Sequence, residues 1–253
     1  SHSAETLLVE AEIDSSTAVQ PAESDAPSAP PRRVSRHPLA RHGAPMRLIH
    51  LVRHGRTASN RQKRVMGWLD ESIEPTSQAD AEAVARALVA EDVGSIVSSP
   101  LRRALATAAP LAALVGLEPR IDDRFGEMHV GPWEGLSEDE VAAQWPTEWQ
   151  EWRTEPHRLQ LRGRETLADL NVRVAEALEQ LSSESVVTGA AVVFTHDAVV
   201  RAAVAWALGT GPEIYRHVEV ANCSITTVRI VDGLPHLLRT NDIGHLDGDR
   251  GQE

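Results

Sequence analysis

The chain has 253 residues and one cysteine, with 37 Asp and Glu against 25 Lys and Arg, a formal net charge of −12. That charge has the wrong sign for a nucleic acid or an anionic membrane, both of which need a basic footprint; a local arginine cluster can still hold a small phosphorylated molecule, because distant charges are screened. One cysteine excludes an intramolecular disulfide and suits a reducing compartment. The longest apolar candidate for a bilayer span, Ala190 to Leu208, is broken by His196, Asp197 and Arg201.

Residues 1 to about 45 are rich in Ala, Ser, Pro and Glu and turn basic at Arg32, Arg33, Arg36 and Arg41. Such a composition cannot bury enough surface to offset chain entropy, so a disordered tail is expected, with a partner-binding arm as the lesser alternative. It lacks a basic segment followed by an apolar one, and Glu5, Glu10, Glu12 and Asp14 disfavour a transit peptide, so a cytoplasmic location is expected. The folded part is expected over 46–246, with a short tail over 247–253. Leu48 to Val52 reads as a buried strand, Asp80 to Ala90 as a helix, and Val93 to Val97 as a second strand. A helix over Ala104 to Leu114 has Pro110 inside it or at its end, and Gly116 to Ile121 is a connector with a short strand. A polar, tryptophan-bearing stretch runs from about 136 to 164. A helix from Thr166 to Leu181 places Leu167, Leu170, Val174, Leu178 and Leu181 on one face. Then come a strand over Ala191 to Thr195, a helix over Ala198 to Leu208, and two strands, Ser224 to Val231 and Pro235 to Arg239, joined by a turn at Asp232-Gly233. Strands alternating with helices predict an α/β domain with a largely parallel sheet.

Three of the apolar runs end in charged or nucleophilic residues. The first leads into Arg53-His54-Gly55-Arg56-Thr57, the second into Ser98-Ser99-Pro100-Leu101-Arg102-Arg103, the third into His196-Asp197. Ligands of open α/β sheets bind beyond the carboxyl ends of the strands, so these ends would gather two histidines and several arginines. A neutral imidazole at His54 can attack phosphorus and form a phosphohistidine. Phosphoryl transfer spreads negative charge over the equatorial oxygens, which Arg53 and Arg103 can clamp, with His196 as a third donor. The leaving alkoxide needs a proton, and Glu127 is the candidate acid.

These segments resemble the histidine phosphatase superfamily, in the branch shared with cofactor-dependent phosphoglycerate mutases. Arg53-His54-Gly55-Arg56-Thr57-Ala58-Ser59-Asn60 is similar to its Arg-His-Gly-x-Thr-x-x-Asn; Ser99 to Ala108 is similar to its Ser-Pro-Leu-x-Arg-Ala-x-x-Thr-Ala; Asp123 to Gly135 and Thr195-His196 follow in order. The resemblance implies His54 as nucleophile, Arg53, Arg103 and His196 on the phosphoryl group, Glu127 as proton donor, and Thr57 and Asn60 in the pocket lining. Arg56, Asp197 and the stretch Ile73 to Ala81 depart from the family pattern. After the acid the mutases read Glu-Arg-His-Tyr-Gly, whereas Glu127-Met128-His129-Val130-Gly131 stands here, which favours a hydrolase over a mutase.

The expectation is therefore a three-layer α/β/α sandwich with a small helical cap insert. It should hydrolyse the monoester of a small phosphorylated metabolite, with no cofactor, no metal, and neither nucleic acid nor membrane as partner. A phosphomutase is the alternative. An inactive phosphate-binding module is disfavoured because His54, His196, Arg53 and Arg103 are all present. The sequence sets neither the substrate nor the oligomeric state. Trp145, Trp149 and Trp152 fall at helical spacing and are expected to pack the cap, a substrate-stacking wall being the second reading. Arg153, Arg158, Arg162 and Arg164 are expected at the surface, with a second anion-binding role as the alternative. His157, His217 and His236 read as structural or surface residues, and Cys223 as a buried apolar one.

Overall fold

The computed structural model describes residues 47–184 and 189–246, so the two expected tails, 1–45 and 247–253, lie outside the described residues. A six-stranded sheet has the order β3-β2-β4-β1-β5-β6. Its strands are β1 (Arg47–Arg53), β2 (Val93–Ser98), β3 (Arg120–Ile121), β4 (Ala190–Thr195), β5 (Ile225–Val231) and β6 (Leu234–Asp242). The pairings from β3 through β2 and β4 to β1 are parallel, while β1–β5 and β5–β6 are antiparallel. The antiparallel edge has a local cause. Only Asp232 and Gly233 separate β5 from β6, both with positive φ (49° and 77°), and a two-residue turn of that handedness closes a hairpin.

The central strands show why two helical layers form. Along β4 every residue is buried, and its side chains alternate between two cores. Ala191 and Val193 join Ile49, Leu51 and Val97 in one cluster, packed by Leu170, Val174 and Leu178 of α6 (Leu167–Ser183) and Val199 and Ala203 of α7 (Asp197–Leu208). Val192 and Phe194 join Val52 and Ile96 in the other, packed by Val84 and Leu88 of α2 (Gln78–Leu88) and Ala104, Ala108 and Leu111 of α3 (Arg102–Val115). A strand covered on both faces reads as continuous apolar sequence rather than as alternation. The expected three-layer sandwich is thus the architecture, with a mixed sheet whose site-bearing strands are parallel. A short α1 (Ala58–Arg61) follows β1 directly.

Element ends differ by a few residues from the sequence reading. Pro110 lies within α3, which runs on to Gly116 at φ 67°; α6 starts where the Thr166 hydroxyl accepts the Asp169 N–H at 3.1 Å; β6 extends to Asp242 rather than ending at Arg239. The stretch after Trp133 forms α4 (Glu138–Gln144) and α5 (Pro146–Thr154). They pack a small satellite cluster of Trp133, Val141 and Leu159, flanked by Trp145, Trp149 and Trp152. Cys223 is buried. Among the described residues no helix is long and apolar enough to cross a membrane.

Candidate active site

The ends of β1, β2 and β4 meet at one edge of the sheet. The His54 N–H donates to the Thr195 carbonyl at 2.9 Å, and the Ser99 N–H to the Phe194 carbonyl at 3.0 Å, so hydrogen bonds carry the parallel register past the last paired residues. Helices α3 and α7 begin at this edge, and their N-terminal dipoles favour an anion there. Arg53, His54, Asn60, Arg103 and Glu127 line one cavity of about 170 Å³. Its far wall is built from the cap, with Trp133, Trp149, Trp152 and Arg164, and from Tyr215.

His54 is 2 % exposed, and its Nδ1 lies 2.8 Å from the Gly55 carbonyl. A carbonyl oxygen only accepts, so Nδ1 carries the proton and Nε2 is left with its lone pair. Burial, then the charges of Arg103 and Arg53, hold the imidazole well below its ordinary pKa, so it is neutral at pH 7. Neutral, with Nε2 unprotonated, is the state in which a histidine attacks phosphorus.

Arg103 is wholly buried and held from three sides. Its Nε–H donates to His196 Nδ1 at 3.2 Å, and its terminal nitrogens donate to the carbonyls of Leu69 and Gly67 at 2.6 and 2.7 Å. Gly67 adopts φ 50°, and a Cβ there would come within 2.5 Å of Val130 Cγ2, so this carbonyl is presented by a position that requires glycine. Because Nδ1 of His196 accepts from Arg103, its Nε2 carries the proton and donates to Ser99 Oγ at 2.7 Å. Both ring nitrogens of His196 are therefore engaged by protein, and the ring is fully buried with its centroid 5.1 Å from that of His54. Burial and the nearby Arg103 keep it neutral. In this geometry His196 accepts from Arg103 and donates to the Ser99 hydroxyl.

Arg53 faces Asp197 at 3.6 Å and donates to the Val220 carbonyl, and its Nε is buried without a partner among the described residues. Asp197 is held from the other side by a bidentate contact with Arg201 at 2.7 and 3.2 Å. Glu127 accepts the Met128 N–H at 2.8 Å through one carboxylate oxygen. Burial, then the negative charge of Asp197, push its pKa up, which favours the protonated acid. Glu134, the other carboxylate of this segment, is exposed and accepts the Trp68 N–H at 2.6 Å.

Thr57 does not line the cavity. It is fully buried and caps α1, its hydroxyl accepting the Asn60 N–H at 3.2 Å. Asn60 does line it, with its side-chain oxygen taking hydrogen bonds from the Thr57 N–H at 3.2 Å and from Asn222 Nδ2 at 3.3 Å. Four contributors were not singled out as site residues in the sequence: Ser99 and Asn222 as hydrogen-bond partners, Tyr215 as wall, and Arg173. Arg173, on α6, donates to the carbonyls of Arg124, Gly126 and Glu127 at 2.7, 3.0 and 3.2 Å while its fork grips the Glu165 carboxylate. It fixes the loop that carries Glu127. Of the cap arginines expected at the surface, Arg153, Arg158 and Arg162 are exposed, but Arg164 is buried in the cavity wall. Trp145, Trp149 and Trp152 pack the cap as expected, and Trp149 and Trp152 also line the cavity.

The histidine phosphatase superfamily (branch 1) model matches residues 49–243. The chain belongs to the histidine phosphatase superfamily. Phosphoserine phosphatase 1 of Hydrogenobacter thermophilus is 30 % identical over 196 residues, spanning 78 % of this chain and 92 % of that protein. The glucosyl-3-phosphoglycerate phosphatase of Mycolicibacterium vanbaalenii is 33 % identical over 174 residues, 65 % of this chain and 75 % of that one. Among solved structures, the mycobacterial glucosyl-3-phosphoglycerate phosphatase in complex with VO3 superposes with a TM-score of 0.71 at 27 % identity, covering 77 % of this chain and 98 % of that chain. This histidine phosphatase is thus an enzyme of phosphatase type.

Proposed function

We propose that the protein hydrolyses the phosphomonoester of a small cytoplasmic metabolite through a phosphohistidine at His54. The observation that carries this reading is the fixed, neutral tautomer of His54 on a cavity shared with Arg53, Arg103 and Glu127. The phosphoryl group lies between the two guanidinium forks, whose positive charge matches the oxygens as the bond to the leaving group stretches. Nε2 of His54 forms the N–P bond as the P–O ester bond breaks. The leaving oxygen takes its proton from Glu127, which becomes a carboxylate. A water then loses a proton to Glu127 as its oxygen attacks phosphorus, the N–P bond breaks, and inorganic phosphate leaves with the site restored. His196 and Thr57 hold Arg103 and Asn60 in position for both halves.

The arginines supply the cations that Mg²⁺ supplies in other phosphoryl-transfer sites, so the reaction is expected to run without metal. Among the described residues no group of three or more His, Cys, Asp or Glu could hold a metal ion. The test is phosphate release from a panel of metabolite monoesters, by wild type and His54→Ala, with and without EDTA. Release that depends on His54 and ignores EDTA supports the reading. Release restored only by a divalent ion would overturn the metal-free route, and transfer to a second substrate hydroxyl with no free phosphate would make the enzyme a mutase.

A further inference from the structure

Arg164 is the one cap arginine that the fold buries, and its surroundings differ from those of every other arginine in the site. It is 8 % exposed and lines the cavity that holds His54 and Arg103. Its guanidinium carbon lies 4.2 Å from the centroid of the Trp152 ring and 5.2 Å from that of Trp133. One hydrogen bond reaches it from the protein side, a 3.3 Å contact from a terminal nitrogen to the Glu165 carbonyl. Among the described residues its Nε is buried with no partner. It forms no ion pair among the described residues, and the neighbouring Glu165 carboxylate is taken by Arg173 at 2.6 and 2.9 Å.

A buried cation without a counterion is costly, because it has given up water and gained no opposite charge. The two indole faces offset part of that loss by attraction to the ring quadrupoles. Burial lowers the Arg164 pKa to about 10, so the group is still charged at pH 7. The guanidinium lies on the cavity wall with its Nε and one terminal nitrogen unbonded among the described residues, and a guanidinium fork matches the two oxygens of a carboxylate. The charge balance favours a carboxylate over a second phosphate. A phosphate dianion would call for another free cation, whereas Arg64, the other arginine of this wall, is already bonded to the Gly135 carbonyl at 2.8 Å and paired with Glu140 at 3.5 Å.

We propose that Arg164, held between Trp133 and Trp152, receives a carboxylate on the substrate, so that the enzyme selects phosphate monoesters of small hydroxy acids. This rests on the phosphatase reading, in that one molecule bridges the phosphoryl end and the Arg164 end of the cavity. A matched pair isolates the carboxylate: 3-phosphoglycerate carries it, and glycerol 3-phosphate has a hydroxymethyl group in its place. A charge-assisted fork of this kind predicts a wild-type preference for 3-phosphoglycerate of about 10- to 100-fold in kcat/KM. Arg164→Gln should shrink that ratio to within about threefold, and Arg164→Lys, which keeps the charge but not the fork, should fall between.

p-Nitrophenyl phosphate reports the phosphoryl chemistry separately, because it has no carboxylate. If wild type hydrolyses none of the three esters, the wider panel of monoesters decides the phosphatase reading, and calorimetric titration of the same two ligands still decides the role of Arg164. Binding of 3-phosphoglycerate about tenfold or more tighter than glycerol 3-phosphate, lost in Arg164→Gln, supports the site. Thermal melts establish that each variant is folded, and should the Gln variant not fold, the Lys variant carries the comparison. Equal kcat/KM or equal affinity for the two ligands in wild type, or an unchanged ratio in a folded Arg164 variant, would overturn the proposal.

Discussion

Replacing Glu127 by Gln tests the assignment of the proton donor most sharply, because the structure isolates acidity from geometry. One carboxylate oxygen of Glu127 accepts the Met128 N–H at 2.8 Å, a bond that the Gln side-chain carbonyl reproduces. The loop is held independently of that carboxylate, by Arg173 on three carbonyls and by the Trp68 indole N–H on the Glu127 carbonyl at 2.6 Å. The substitution therefore removes the acidic proton and little else. General acid help is worth about 10²- to 10⁴-fold where the leaving group needs it. An alkoxide leaving from a sugar phosphate or phosphoglycerate needs it; a nitrophenolate does not. The expected loss is thus about 10²-fold or more on an alkyl phosphate and under about tenfold on p-nitrophenyl phosphate. The assay is the first turnover by rapid quench, since slow hydrolysis of the phosphoenzyme would mask the difference at steady state. Equal first-turnover losses on both esters would refute the role, and Asp197 would become the nearest alternative acid.

The pH profile follows from two opposed shifts. Burial with Arg103 and Arg53 lowers His54, so its protonation limits the rate only well below the ordinary imidazole range. Burial with Asp197 raises Glu127, so the rate on an alkyl ester falls as pH rises through that raised value. Asp197→Asn removes the neighbouring negative charge, lowers the Glu127 pKa and should move the alkaline limb to lower pH; a limb that stays or rises contradicts this. Arg173→Met strips three carbonyl bonds and leaves Glu165 without its partner in a site where the two side chains are 21 % and 11 % exposed. The expected loss is about 2–4 kcal/mol in urea unfolding, and a change under about 0.5 kcal/mol would show that the clamp contributes nothing.

Much of the site was legible in the sequence for a specific reason. His54, Arg103 and His196 each sit at or just beyond the end of a short apolar run, and such runs can be read without knowing how strands pair. The sheet order could not be read so, because the place of β5 beside β1 is fixed by pairings such as Leu51 with Thr226, far apart in the chain. The hydrogen-bond partners of His196 and Thr57 were illegible for the same reason: contacts with residues such as Ser99 and Arg103 are decided by side-chain packing, which spacing does not encode. Arg164 was the least legible. It lies in a polar, arginine-rich stretch where exposure is the ordinary outcome, and only the approach of Trp133 and Trp152 buries it. Arg173 is one of several charged residues on the amphipathic helix α6, and its target carbonyls belong to a loop 46 to 49 residues away.

The central claim is that the phosphoryl group passes through His54, and trapping it there is the most direct measurement. Wild-type enzyme mixed with a substrate monoester and quenched in alkali, which preserves phosphohistidine, should yield one phosphorylated peptide, the one containing His54, with phosphorus on Nε2 by ³¹P and ¹⁵N correlation. His54→Ala should yield none. A phosphoryl group found on another residue, or rapid turnover with no phosphoenzyme at any time in the first turnover, would contradict the account.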